Sequence, residues 1–158
     1  RVVELGCGLG LPSLIAASKG AMVVATDWYE PALDFVRINA ARAGVSVHTQ
    51  LVDWRDPPPA LLAAPFDLVI AADVLYEARN VAPLVALIPQ LCGPSGEVII
   101  ADPRRNDAQA FLDSMVLDGW SLASDDVTFN GRRDESGSTI HLHRLAPPGS
   151  SVGSSAIR

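Results

Sequence analysis

The residues able to do chemistry in this chain stand at the ends of short apolar runs. Glu4-Leu5-Gly6-Cys7-Gly8-Leu9-Gly10 follows Val2-Val3, while Asp27, Asp53 and Asp73 each close an apolar stretch, at residues 21–26, 45–52 and 66–72. A strand that stops in alternating glycines and then opens a helix lets backbone approach a bound ligand, because glycine has no Cβ and tolerates positive φ. The spacing limits which ligand. A dinucleotide fingerprint needs a small residue at position 11, where this chain has Leu11. A pyrophosphate-binding P-loop needs Gly-Lys-Ser/Thr, and Leu9-Gly10-Leu11-Pro12 offers neither lysine nor hydroxyl. NAD, FAD, ATP and GTP are all disfavoured.

The elements that must position these residues alternate in kind. After the loop, Pro12 is tolerated in a first helical turn, and the helix through Leu14, Ile15 and Ala17 stops near Gly20. A second strand ends at Asp27; Pro31 then starts a helix whose Ala32, Phe35, Val36, Asn39 and Ala43 share one face before Gly44. A third strand over residues 45–52, a short helix after Pro57-Pro58-Pro59, and a fourth strand over residues 66–72 follow. Asn80 is placed to cap a helix to Leu91 that Pro89 should kink or shorten, and Gly93-Pro94-Ser95-Gly96 should turn into a strand over residues 97–101. Asn106 caps the next helix, Gly119 ends it, and residues 120–129 and 138–145 read as an antiparallel pair around the charged loop 130–137. Residues 147–158 are expected to be a disordered tail, leaving one domain over residues 1–146.

Strict βα alternation with almost wholly apolar strands implies an α/β fold, a doubly wound, mostly parallel sheet with helices on both faces. In such sheets a ligand lies outside the carboxyl ends of the strands, where the glycine loop and the three aspartates emerge.

The run from Glu4 to Gly10 resembles motif I of the class I methyltransferases that use S-adenosylmethionine, an acid, one spacer and Gly-x-Gly-x-Gly. The resemblance implies a Rossmann-like, seven-stranded sheet of order 3-2-1-4-5-7-6 with its last strand antiparallel, and a preceding segment, absent from this sequence, that covers the cofactor. It also implies a cofactor site at Glu4, Gly6, Gly8, Gly10, Asp27, Trp28, Asp53, Trp54 and Ala72, which binds S-adenosylmethionine and releases S-adenosylhomocysteine. There Asp27 would accept both ribose hydroxyls and Asp53 the adenine amine, with Trp54 against the ring. Trp54 is equally readable as a core anchor. Glu4 either faces the methionine end or holds the loop's own amides.

Asp73-Val74-Leu75-Tyr76 resembles the Asp/Glu-x-x-Tyr motif of the seven-β-strand protein lysine methyltransferases, and Asp102-Pro103-Arg104-Arg105 is similar to the Asp-Pro-Gly-Arg of one branch, with Arg104 in place of the glycine. The resemblance implies a protein substrate bearing a lysine and catalytic roles for Asp73, which orients the cofactor's methionine end or the amine, and Tyr76, which walls and hydrogen-bonds the amine. The Asn/Asp-Pro-Pro-Tyr of adenine and glutamine methyltransferases is absent, since Val74-Leu75 replaces the prolines. Two rival readings remain. One is a small-molecule N- or O-methyltransferase on the same core; the other is a non-catalytic module that binds the cofactor.

With a net charge of −6 and one lysine, Lys19, the chain has no basic stripe for nucleic acid and suits a basic partner better. No apolar run approaches the ~20 residues of a membrane span, so a cytoplasmic monomer is expected. Cys7 and Cys92 lack metal-ligand spacing and read as free thiols, and His141 and His143 alternate on a strand face without a third ligand, so no metal is expected.

Overall fold

The computed structural model describes residues 1–129 and 138–153. Seven strands form one sheet: β1 (Val2–Leu5), β2 (Val23–Asp27), β3 (His48–Leu51), β4 (Phe66–Ala72), β5 (Cys92–Asp102), β6 (Ser121–Phe129) and β7 (Ser138–Ala146). Their order is β3-β2-β1-β4-β5-β7-β6. The first five run parallel, and β7 is antiparallel to both β5 and β6. This is the topology that the resemblance implies.

The helices are α1 (Leu11–Ser18), α2 (Glu30–Ala43), α3 (Pro59–Leu62), α4 (Val81–Leu91) and α5 (Ala108–Leu117). Period-two alternation in β1 sends Val3 and Leu5 into the larger core, which they share with Leu61 of α3, Leu84 and Ile88 of α4, and Phe111 and Met115 of α5. A smaller cluster of Cys7, Ala25, Leu33 and Val36 lies under α2. Glu4 is thereby turned away from the larger core, toward α1. No described helix is long and apolar enough to cross a membrane.

Several local features differ from the sequence reading. The buried face of α2 is Leu33, Val36 and Ala40, whereas Phe35 is 52% exposed. Pairing in β3 begins only at His48. Pro89 lies inside α4 without ending it, at the cost of the one backbone bond that its missing N–H would make. The segment Gly93-Pro94-Ser95-Gly96 does not reverse the chain. It bulges out of β5 between the Phe66↔Cys92 and Leu68↔Glu97 pairs, and a Cβ on Gly96 would sit 2.9 Å from the Phe66 carbonyl oxygen. Asn80 does not cap α4 with its side chain but donates through Nδ2 to the Val74 carbonyl at 2.9 Å. The cap of α5 is Asp107 rather than Asn106.

The segment 147–153 makes hydrogen bonds to β5, β6 and β7. Ser150 donates from Oγ to the Pro94 carbonyl and accepts at its own carbonyl from Ser121, and Arg144 donates to the Gly153 carbonyl. Short polar side chains and open carbonyls find partners there. The loop 130–137 and the rest of the expected tail, 154–158, lie outside the described residues.

Candidate active site

Parallel pairing aligns the carboxyl ends of the strands. Leu5 stands beside Thr26 and Ala71, Asp27 beside Leu51, and Ala72 beside Ala101. The glycine loop, Asp27, Asp53 and Asp73 therefore leave the sheet at one edge.

Gly6, Gly8 and Gly10 all adopt left-handed backbone, with φ of 67°, 51° and 78°. Close packing adds a second requirement at two of them. A Cβ on Gly6 would lie 3.0 Å from Val74 Cγ1 and 3.4 Å from the Trp54 ring, and one on Gly10 would lie 2.8 Å from Val36 Cγ2. Above Gly8 the space is open. The sequence reading assigns all three glycines to ligand approach; the geometry leaves that reason to Gly8 and adds protein packing at the other two.

Asp27 is 7% exposed, and each carboxylate oxygen accepts a backbone N–H. Gly8 donates to Oδ2 at 3.0 Å and Tyr29 to Oδ1 at 3.0 Å. Each oxygen keeps acceptor capacity for a further donor. Glu4 is buried, and its Oε2 accepts from both the backbone N–H of Ser13, at 2.9 Å, and the Ser13 hydroxyl. Its partner is thus Ser13 in the first turn of α1, and the amides of Cys7, Gly8 and Gly10 bond elsewhere. Burial pushes the Glu4 carboxyl above its ordinary range, against the Ser13 bonds that pull it down. Burial, with Asp27 and Glu4 nearby, pushes the Cys7 thiol up to about 12.

An open cleft is lined by Trp28, Asp53, Trp54, Arg55, Tyr76, Arg79 and Asn80. Four predicted residues from three strand ends thus meet in it. Trp28 is 70% exposed and packs at 5.9 Å on Tyr29. Asp53 accepts from the Arg55 amide at 2.9 Å and has the Arg55 guanidinium 3.6 Å away. Trp54 packs against the larger core, but its buried Nε1–H has no partner among the described residues. Tyr76 is half exposed.

Asp73 lies beside this cleft and carries a partner that the sequence did not announce. Arg105 donates from Nε to Oδ1 at 2.7 Å and from Nη2 to Oδ2 at 2.8 Å. The Asp73 carboxylate holds the guanidinium's proton more tightly than usual. Ala72 sits in register with Ala101, and the Asp73 amide continues the ladder to the Ala101 carbonyl at 2.8 Å. The sequence signal for Arg105 is its place three residues after Asp102, whose carboxylate accepts the Arg105 amide and fixes the loop. Arg79 and Asn80 show no motif that could have marked them.

The edge offers carboxylate acceptors and aromatic faces, with no lysine or hydroxyl in its glycine loop. Comparison with known proteins agrees in kind. A family model described as lysine methyltransferase matches residues 1–117. Proteins named ribosomal protein L11 methyltransferase are similar in sequence: one from Serratia proteamaculans is 33% identical over 134 residues, covering 84% of this chain and 45% of its own length. Another, from Escherichia coli, is 34% identical over 121 residues, covering 74% and 40%. The chain thus spans less than half the length of these relatives. Among solved structures, a precorrin-6y C5,15-methyltransferase from Geobacter metallireducens superposes with a TM-score of 0.74 at 12% identity, over 92% of this chain and 79% of that one. Magnesium protoporphyrin IX methyltransferase from Synechocystis, solved with bound SAM, gives 0.70 at 19% identity, over 92% and 69%. At these identities the structural likeness is one of fold.

Proposed function

From the premise that the chain belongs to the lysine methyltransferase family, we propose that it forms the cofactor-binding and transfer portion of an S-adenosylmethionine-dependent enzyme whose acceptor is a lysine amine of a protein. The observation that carries this reading is the convergence of Asp27, Asp53, Trp28, Trp54 and Tyr76 on one sheet edge beside the glycine loop.

The residues fit the cofactor on three counts. The space over Gly8 is open to a ligand, the Asp27 oxygens retain acceptor capacity for a diol, and the Trp54 N–H is an unspent donor. When bound, S-adenosylmethionine supplies an electrophilic methyl group on a sulfonium. Asp53 offers an acceptor to the adenine amine, and the two tryptophans offer faces to the ring. Glu4 acts one step back, holding Ser13 and the start of α1.

A lysine amine has to lose its proton before it can react. With an ordinary pKa of ~10.4 it stands ~3.4 units from neutrality at pH 7, a cost of about 4.6 kcal/mol. A free carboxylate at Asp73 would raise that cost by stabilising the ammonium, and Arg105 cancels much of its charge. Asp73 then orients its neighbours without holding the proton on the amine. Tyr76 walls the amine and hydrogen-bonds it. The chain contributes position and exclusion of water.

The relatives' name makes ribosomal protein L11 the first substrate to test, and the net charge of −6 suits a basic partner in the cytoplasm. The test is to incubate the full-length protein with methyl-labelled S-adenosylmethionine and a ribosomal extract, then map the label by mass spectrometry. Label on a lysine of L11 or another protein is the expected result. Label on a small amine or phenol alone overturns the lysine reading, and no release of S-adenosylhomocysteine overturns the enzymatic one.

A further inference from the structure

Two non-glycine residues have positive φ among the described residues, Asp73 at 53° and Arg104 at 67°. They stand just past the paired ends of β4 and β5, on the two sides of the Arg105–Asp73 contact. In this backbone region the Cβ crowds the following carbonyl, so a side chain is carried there against steric cost. Glycine would suit position 104 better on backbone grounds. What the arginine adds is a bond: its Nε donates to His141 Nε2 at 2.9 Å.

That bond fixes the state of the histidine. An arginine N–H can only donate, so His141 Nε2 presents a lone pair and its proton is on Nδ1. Nδ1 faces Asp126 Oδ1 at 2.5 Å. His141 is locked further by its position in β7, opposite Asp102 of β5 and Asp126 of β6, and by stacking on His143 at 5.9 Å. Asp126 also lies 3.9 Å from Arg104 Nη2. The series runs from β6 to the reaction edge: Asp126, His141, Arg104, then through one peptide to Arg105 and Asp73.

We propose that Arg104 and His141 are positioning residues that hold the loop after β5 in its left-handed form, so that Arg105 meets both oxygens of Asp73. The catalytic consequence rests on the methyl-transfer reading above. Without the anchor, residue 104 relaxes toward negative φ, the chain direction at residue 105 changes, and the two-point contact with Asp73 is lost. Neither residue touches the cofactor cleft, so cofactor binding is unaffected.

The test compares His141→Leu, Arg104→Ala and His141→Gln in the full-length protein. Glutamine retains an acceptor for Arg104 and a donor for Asp126, and Arg104→Ala removes the bond to His141 from an exposed side chain while keeping the Cβ that disfavours the left-handed form, so neither variant is prone to misfold. The first readout is the Arg105 Nε–H signal in nitrogen–proton NMR spectra. It should shift and exchange faster with water in His141→Leu and Arg104→Ala, and stay in place in His141→Gln. The second is methyl transfer, where kcat should fall roughly 10-fold in the first two variants, short of the ~100-fold that a 1 Å misplacement can cost, with KM for S-adenosylmethionine unchanged and kcat restored in His141→Gln. An unmoved Arg105 signal in the first two variants overturns the proposal, as does a glutamine variant that behaves like the leucine one, or a displaced Arg105 with wild-type kcat. If the Arg105 signal follows the expected pattern while the wild-type protein methylates nothing, the positioning series stands and the methyl-transfer reading is what fails.

Discussion

Arg105 grips Asp73 by two parallel hydrogen bonds of 2.7 and 2.8 Å across 32 residues of chain, and both side chains are close to half exposed. At that exposure the pair contributes little to folding, by the usual measure of ~0–1 kcal/mol. Its weight falls on the charge of the reaction edge. Arg105→Leu should leave the urea unfolding midpoint almost unchanged and lower kcat for lysine methylation by roughly 10-fold or more, because an unpaired Asp73 holds the acceptor as an ammonium. Rate measurements at pH 7 and pH 9 check this: the deficit should shrink at the higher pH.

Asp27 should matter to cofactor affinity in two ways. Asp27→Ala removes the acceptors proposed for the ribose and also releases the Gly8 and Tyr29 amides that shape the loop. Losing charge-assisted bonds worth ~1.5–3 kcal/mol weakens S-adenosylmethionine roughly 10- to 150-fold. Calorimetric titration that finds wild-type affinity in this variant removes Asp27 from the site.

The glycines separate packing from conformation. Gly10→Ala meets Val36 at 2.8 Å as well as the left-handed backbone penalty, and Gly8→Ala meets the backbone penalty alone. Equilibrium unfolding should show a loss of about 1–2 kcal/mol at Gly8 and about 2–5 kcal/mol at Gly10. Equal losses at the two positions would show that the Val36 contact carries no cost.

Glu4 supplies a pH signature. Its folded pKa is raised from the ordinary 4.5, so the folded state favours the protonated acid. The associated stability is fully present below 4.5 and is lost as pH rises through the raised folded value. Glu4→Gln keeps an acceptor for Ser13 and cannot ionise. It should raise the thermal midpoint at about pH 8 and leave it nearly unchanged at about pH 4, a difference read directly from melting curves.

Much of this architecture was legible because β2 and β4 are near-continuous apolar runs that stop at acids: β4 spans the expected residues, Phe66–Ala72, and the parallel, doubly wound arrangement follows from strict alternation. What escaped was of two kinds. Turn residues mark where a chain leaves a ladder, not whether it reverses, so Gly93-Pro94-Ser95-Gly96 could not be told from a bulge whose strand resumes the same pairing. Partnerships between distant residues leave no local period. Neither the Asp73–Arg105 contact nor the Glu4–Ser13 one is written in the spacing of either segment, and the left-handed Arg104 sits where a propensity argument would put glycine. The strand-end aspartates could be grouped in advance because topology alone brings strand ends together.

The tight seat of Gly6, 3.0 Å from Val74 Cγ1 and 3.4 Å from Trp54 for any added Cβ, joins three strand ends through one backbone position. Val74 is the immediate neighbour of Asp73, and Trp54 is a wall of the cleft. A side chain here would push on the cleft wall and on the acid's neighbour at once, so the bare backbone of Gly6 is what lets the two lie this close.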